Sequence, residues 1–542
     1  MALQVNQLRA VSPAGLVVAA VLYLALNTLF DVSIPAARID LTEDKLFTLS
    51  KGTHVTIEKI DEPIEVHYFF SEQLGRTQPA YAAYARRVSE LLGEIATASH
   101  GKIIVHEHNP EAFSRGADLA VSLGIQGVPV NQEGALAYFG LAAVNSVDEV
   151  ELIPFFQPER ENLLEYDLVQ IIHALSDPQP TVVGVMSSLP ILGDMQARMQ
   201  GRGSPPWAIA QQLRASFELL SLPQSLDDVP TGVKVMMIVH PRALNERTMY
   251  ALEQFLFRGG HAMMFIDPKS ESDVTVGPNE LSTSAGSLAR LFEQWGIEVP
   301  QGLLVGDRSL ASKVNAGTAQ QVIAADYVVW QTIRSDNMTQ EDPVTSQLPV
   351  IRIASPGYIV RRADSPLLVQ PLLFSTKDSA AVKVEDVRGI TPDILGLLKS
   401  FKADDQSYVM AARLTGEAQS AFPLGPPPRV IERSAAEQAA TPGAEQIMRA
   451  KGPINVILVT DSDLLDDSFW QRTQTVYGRE VKQAIASNAD FVVNAISNLA
   501  GGDQLIGLRS RGVSQRPFER VVRLQREAEL RLRDKERSLQ DK

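Results

Sequence analysis

The segment Val233–Pro268, VKVMMIVHPRALNERTMYALEQFLFRGGHAMMFIDP, sets the tightest limits on the fold. Val235–Val239 is a continuous apolar run of strand length, bounded by His240-Pro241. A strand buried on both faces, as in a parallel sheet, has this composition. Asn245 stands at an N-cap position, and Met249, Leu252, Phe255 and Leu256 follow on one helical face. Gly259-Gly260 ends that helix, and Ala262–Ile266 is a second buried run before Asp267-Pro268. Strand, helix and strand at this spacing form a parallel crossover, so the fold class is α/β. The end of the second strand, Asp267 to Lys269, is where enzymes built on such a unit carry a reactive group.

Ahead of this unit lies Ala10–Phe30, an uncharged stretch of 21 residues between Arg9 and Asp31. As a helix it spans roughly 31 Å, against a hydrocarbon core of about 30 Å. It reads as an uncleaved membrane anchor; a cleaved signal peptide and a buried core helix are the alternatives. Arg9 precedes it and Asp31, Asp40, Glu43 and Asp44 follow, which favours a cytoplasmic N-terminus and a periplasmic bulk. The net charge of -14 argues against a nucleic-acid binder, which needs a basic face. With no cysteine in the chain, disulfides, thiolate metal sites and cysteine nucleophiles are excluded.

Residues 32–178 read as a first α/β domain. Ile64–Phe70 alternates as a strand, Tyr81–Ala98 carries a helical apolar face, and Lys102–Glu107 is a second strand. A short helix over Ala117–Leu123 and the Val128-Pro129 turn complete a thioredoxin-like order, in which such a proline is often cis. Without a dithiol it has no redox role. His106 and His108 share a strand face, but a metal site needs a third ligand and the neighbouring sequence offers none. Leu163–Ser176 is an amphipathic helix that closes the domain.

Residues 179–512 read as a larger parallel-sheet α/β domain. Its expected strands include Thr181–Ser187, Phe217–Leu222, Gly302–Val305, Val350–Ala354, Leu367–Phe374, Tyr408–Leu414 and Ile454–Val459. Helices are expected over Trp207–Phe217 and Ser287–Trp295. Residues 423–452, rich in Pro, Ala, Glu and Gln, read as a mobile insert. The most site-like segment is Asn455–Asp467. A buried strand ending in Asp461-x-Asp463 suits Mg²⁺ or a ribose at a sheet edge, and suits equally a cap on the next helix. Arg509 and Arg511 alternate at a strand end, either to bind an anion or as a solvated edge. Residues 513–542 form a charged helix with a sparse seam, Val521, Ala528, Leu532 and Leu539, which suits a homo-oligomeric coiled coil or an exposed helix.

The segments DLTEDKLFTLS, LEYDLVQIIHAL, VKVMMIVHPRAL, FLFRGGHAMMFIDP, FVVNAISNLAGGDQLIGLRSRG and RPFERV, after an N-terminal anchor, resemble the GldG family. These are auxiliary subunits of ABC-type transport systems first associated with gliding motility. The resemblance runs from Asp40 to about Leu532. It implies a glutamine-amidotransferase-like central domain, an ABC permease as partner and, through it, a cytoplasmic ATPase, all at the bacterial cytoplasmic membrane. In amidotransferases the strand matching His261–Ile266 ends in a nucleophilic cysteine, where this chain has Asp267 before Pro268. The resemblance therefore implies a non-catalytic subunit without cofactors. The chain has no G-x-x-x-x-G-K-[ST] with which to hold ATP itself. Members of the family commonly carry a second membrane helix after the charged one, whereas this sequence reaches Lys542 without an apolar run. The rival readings are a membrane-anchored hydrolase using Asp461 and Asp463, and a substrate- or glycan-binding module.

Overall fold

The computed structural model describes residues 49–501 apart from short segments, of which 194–203 and 430–445 are the longest. The expected anchor, Arg509, Arg511 and the charged C-terminal helix lie outside the described residues. Among the described residues no helix is long and apolar enough to cross a membrane.

Ser50 opens the first part. Its hydroxyl accepts from the Thr53 amide at 3.1 Å and caps α1 (Lys51–Glu58). The Ser50 amide donates to Glu165 at 2.7 Å and the Thr53 hydroxyl to the same oxygen at 2.5 Å. Two distinctive sequence segments, one ending in Ser50 and one containing Glu165, thus hold each other. Strand β1 (Ile64–Phe70) leads through α2 (Pro79–Ala98) to β2 (Ile103–His108), then through α3 (Arg115–Ser122) to β3 (Gly127–Pro129), β4 (Leu136–Val144) and β5 (Val150–Ile153). The sheet order is β2-β1-β4-β3, with β5 also on β4; β1 and β2 are parallel and the other pairs antiparallel.

Alternation assigns the faces of β1. Ile64, Val66 and Tyr68 are buried, and the Tyr68 hydroxyl donates to the Ala85 carbonyl of α2 at 3.0 Å. Phe69 points the other way, into a cluster with Ala117 and Ala120 of α3. The Val128–Pro129 peptide is trans. Helix α4 (Leu164–Ser176) follows, with Leu168, Val169, Ile171, Ile172 and Leu175 buried.

The second part is built on β6 (Thr181–Ser187), β7 (Phe217–Leu222), β8 (Val233–Val239), β9 (His261–Phe265), β10 (Leu368–Phe374), β11 (Val409–Gly416) and β12 (Ile454–Val459). They pair in the order β10-β11-β12-β9-β8-β6-β7. The five strands from β12 to β7 are parallel, whereas β11 runs antiparallel to both β12 and β10. The expected all-parallel sheet is therefore mixed. Apolar runs buried on both faces look alike whichever way the neighbouring strand runs, so composition does not give direction.

The opening crossover forms as its sequence dictates. Val235, Met237 and Val239 face α5 (Ala208–Arg214) and α8 (Asn488–Ala500) in one core cluster. Met236 and Ile238 face α6 (Glu246–Phe257) and α7 (Ala289–Trp295) in another. Asn245 caps α6, accepting from the Thr248 amide at 2.8 Å. Gly259, at φ 94°, turns the chain out of α6, and a Cβ on Gly260 would lie 2.4 Å from the Phe255 ring. Ala311–Asn315 and Ala324–Arg334 pair antiparallel, and Val350–Ala354, expected in the main sheet, instead completes this separate three-stranded sheet. The described flanks of the 423–452 insert are tied down: Gln446 donates to the Phe422 carbonyl and Gln254 bonds Ile447 in both directions.

Candidate functional site

In open α/β sheets, ligands bind outside the carboxyl ends of the strands, at the point where strand order reverses. The order β7-β6-β8-β9-β12 places that point between β6 and β8. Along this edge the strands run out into Ser187, His240, Asp267 and Asp461.

Asp267, Asp461 and Asp463 converge there, with one oxygen from each lying within 4.8 Å of the others. They are 0%, 1% and 0% exposed. Every one of their six oxygens accepts a hydrogen bond. Asp267 takes the Lys269 amide on Oδ1 (2.9 Å), and the Ser462 amide (3.0 Å) and hydroxyl (2.6 Å) on Oδ2. Asp461 takes the Asp463 amide (2.8 Å) and the Ala354 amide (2.9 Å). Asp463 takes the Ser270 hydroxyl (3.1 Å) and Ser272 amide (2.8 Å) on Oδ1, and the Glu271 amide (2.7 Å) on Oδ2. The cluster joins three loops far apart in sequence. Burial pushes Asp267 up to about 7, against the pull of the Ser462 and Lys269 donors. Burial, then the neighbouring carboxylates, drive Asp461 and Asp463 well above the ordinary range. With no positive charge among them, three carboxylates this close do not all ionise at neutral pH; their oxygens are also of the type and spacing that could hold a cation.

Beside them His240, fully buried at φ 44°, has Nε2 2.8 Å from Ser282 Oγ and Nδ1 3.2 Å from Ser284 Oγ. The Ser282 hydroxyl donates to Asp273 Oδ2 at 2.6 Å, and Arg242 lies 3.2 Å from that oxygen. A serine, histidine and aspartate in contact suggest nucleophilic catalysis, but the polarity is wrong. The Ser282 proton goes to Asp273, so His240 donates to Ser282 and is not poised to deprotonate it. Burial lowers His240 to about 4, so it is neutral at physiological pH.

A roof closes the edge. Gly357 donates its amide to the Thr460 carbonyl at 2.8 Å, and Thr460 Oγ1 returns a bond to the Gly357 carbonyl at 2.8 Å. A Cβ on Gly357 would lie 3.0 Å from Pro268 Cγ, so the backbone passes directly over the end of β9. Ser355, at φ 51°, donates to Glu271 Oε1 at 2.6 Å, and Lys269 pairs with Glu271 at 2.5 Å. A general base must reach a substrate proton; these carboxylates reach only their own chain. Two large clefts lie at the opposite, amino ends of the strands. One of about 930 Å³ is lined by Thr181, Phe217, Glu149 and Glu151, the other of about 750 Å³ by Val233, His261, Arg247 and Arg258.

Of the residues singled out in the sequence, Asp461 and Asp463 meet Asp267 at this edge. Asp463 does not cap the next helix; it reaches across to 270–272, while Asp466 accepts from the Ser468 amide as the local cap. His240, Asp273, Glu271 and Ser355 give little signal in sequence. The one cue is a polar residue directly after an apolar run, shared by His240, Ser355 and Thr460.

Comparison with known proteins adds the context. Residues 43–144 match a domain of unknown function. An uncharacterized protein of Borreliella burgdorferi is 21% identical over 408 residues, covering 72% of this chain and 75% of its own length. Among solved structures, a β-galactosidase from Rahnella sp. R3 gives a TM-score of 0.23 at 11% identity, covering 75% of this chain and 41% of its own. An exo-β-1,4-mannosidase from Opitutaceae bacterium strain TAV5 gives 0.19 at 11%, covering 70% and 45%. The chain spans less than half of either enzyme, and similarity this low carries no argument about fold or activity. Residues 180–495, more than half of the chain, match the auxiliary family described as "ABC-type uncharacterized transport system", and the chain belongs to that family.

Proposed function

We propose that this protein is a non-catalytic, GldG-like subunit of an ABC-type transporter complex. In this reading residues 1–31 hold a cytoplasmic tip and a single anchor in the bacterial cytoplasmic membrane. Residues 32–178 form a thioredoxin-like domain, 179–512 an amidotransferase-like domain and 513–542 a charged helix, all on the periplasmic side. The partner is the permease, and through it a cytoplasmic ATPase. The observation that carries the non-catalytic part is the closed carboxyl edge. All six oxygens of its three buried aspartates accept from the chain's own donors, and Gly357 packs on Pro268 and Thr460 beside them. The family match over residues 180–495 supports the transport context.

The order β2-β1-β4 with β5 on β4, and the parallel β1–β2 pair, support the thioredoxin-like assignment. In this reading coupling to ATP hydrolysis passes through the permease. The test is purification from native membranes in mild detergent with crosslinking. A permease and an ATPase should co-elute, and replacing residues 14–30 by an unrelated spanning helix should weaken their recovery. Failure to recover any ABC component with the wild-type chain would return the anchored-hydrolase reading to first place.

A further inference from the structure

The three-stranded sheet of Ala311–Asn315, Ala324–Arg334 and Val350–Ala354 has one dry face and one polar face. Gln331 and Ile333 point into the core, as do Ile351 and Ile353, and all four are buried. Alternation therefore turns Trp330, Thr332 and Arg334 outward together with Arg352. Thr332 stands directly opposite Arg352, with Arg334 on the diagonal. From the third strand Ser312 reaches across, its hydroxyl 2.9 Å from that of Thr332. The short helix Asp467–Trp470 walls this face, and its Phe469 ring meets that of Trp330 at 5.2 Å. The result is a cleft of about 570 Å³. Among the described residues that line it, Lys313, Arg334 and Arg352 carry charge and no acid is present.

Lys313 pairs with Asp326 at 3.0 Å, whereas among the described residues Arg334 and Arg352 pair with no carboxylate. Arg352 Nε is buried without a hydrogen-bond partner. Its backbone is fixed by Asn488, which accepts from the Arg352 amide at 2.9 Å and donates to its carbonyl at 2.7 Å. Burial, and then the charge of Arg472, lower the Arg352 guanidinium from its usual value, so like charge faces like charge here. A buried donor on a charged group is costly to leave unmet, and an anion from outside meets it.

We propose that this cleft binds a phosphate or sulfate ester, the oxyanion on Arg352 and Arg334 and the organic group against Trp330 and Phe469. Guanidinium forks match such oxyanions in geometry, and two of them on neighbouring strands can close on one anion. Ser312 and Thr332 carry two hydroxyl hydrogens and use one between themselves, which leaves the other for an anion oxygen. The aromatic corner suits a ring or apolar group, and the volume suits a small molecule. The site goes beyond the transporter reading and does not rest on it.

The experiment titrates full-length protein calorimetrically with phenyl phosphate, phenyl sulfate and inorganic phosphate at pH 7.5 and fixed ionic strength. One phenyl ester per chain is expected, and whichever ester binds more tightly decides between phosphate and sulfate. Inorganic phosphate should bind more weakly, because it lacks the ring. Affinity for the preferred ester should fall about tenfold or more in Arg352→Gln and less steeply in Arg334→Gln. Arg352→Lys keeps the charge without the fork and should not restore it. Arg362→Gln, at an exposed arginine paired with Asp364, should leave it unchanged. Crystals of the wild-type protein soaked in selenate give a readout independent of any variant's folding, and an anomalous peak within hydrogen-bond reach of Arg352 is expected. Absence of ester binding, binding unchanged in Arg352→Gln, esters no tighter than inorganic phosphate, or selenate away from Arg352 would each overturn the assignment.

Discussion

Replacing Asp267 by asparagine should make the protein less sensitive to alkaline pH, and the size of the effect follows from burial. Asp267 is fully buried and its carboxyl is raised from 3.8 to about 7. A group whose folded pKa lies above its unfolded value stabilises the fold fully below the unfolded value. That contribution is lost as pH rises through the folded one. The window therefore runs from about pH 4 to about pH 7. At about 1.4 kcal/mol per pH unit the loss across it approaches about 4 kcal/mol, an upper figure because Asp461 and Asp463 share the protons. Asparagine does not titrate and lacks this slope. It also turns an amide toward either the Lys269 or the Ser462 N–H, a mismatch worth about 1–3 kcal/mol at every pH. The variant should thus be the weaker protein at pH 4.5 and should match or exceed the wild type at pH 8. His240, held near 4 and neutral when folded, adds the opposite slope up to about pH 6.5, but equally in both proteins. The assay is urea unfolding of both proteins side by side at pH 4.5, 6, 7 and 8, reading the difference in unfolding free energy. A gap that stays constant, or that widens against the variant as pH rises, would refute the reasoning.

Three further outcomes can be measured. Asp342→Ala should destabilise by about 3–5 kcal/mol in urea unfolding, because Arg413, bonded to both Asp342 oxygens at 2.8 and 2.9 Å and almost fully buried, is left without its counter-charge. Leu252→Ala should lower stability by about 2–5 kcal/mol, since Leu252 is 1% exposed between α6 and the sheet. On the proposed anchor, an arginine at Leu22 should oppose membrane insertion by about 2.5–3.5 kcal/mol on the translocon scale, read as release from membranes during alkaline carbonate washing.

The legible parts of this fold are those whose signal is local. Val235–Val239 alternates between two cores, and a run that must be apolar on both faces can be recognised without knowing what covers it. Asn245 and Gly259 mark the helix between, because caps act within a few residues. What could not be read depends on pairing across long stretches of chain. The antiparallel turn at β11 is one case. The histidines of β1 and β2 are another, since His67 and His106 are 39 positions apart and stand side by side only because β1 and β2 pair in that register. Asp463 is the sharpest case. As sequence it looks like a cap or a ligand, and which of these it becomes is decided by amides at Glu271 and Ser272, more than 190 residues away.

That distance also bears on what the sheet can bind. A catalytic carboxylate at a strand end keeps an oxygen free for substrate, and its neighbours stay small and open so that the substrate can approach. Here Pro268 directly follows Asp267, forcing extended backbone where a nucleophile would need a sharp turn. The segment that carries Ser355 and Gly357 then packs against Glu271 and Pro268. Opening this edge would break the bonds from Ala354, Ser355 and Gly357 together and expose three acids whose protonation depends on being dry. A ligand worth only a few hydrogen bonds does not offset that loss. Among the described residues the clefts at the amino ends of β6–β9 are open by contrast, and the proposed partner has them available.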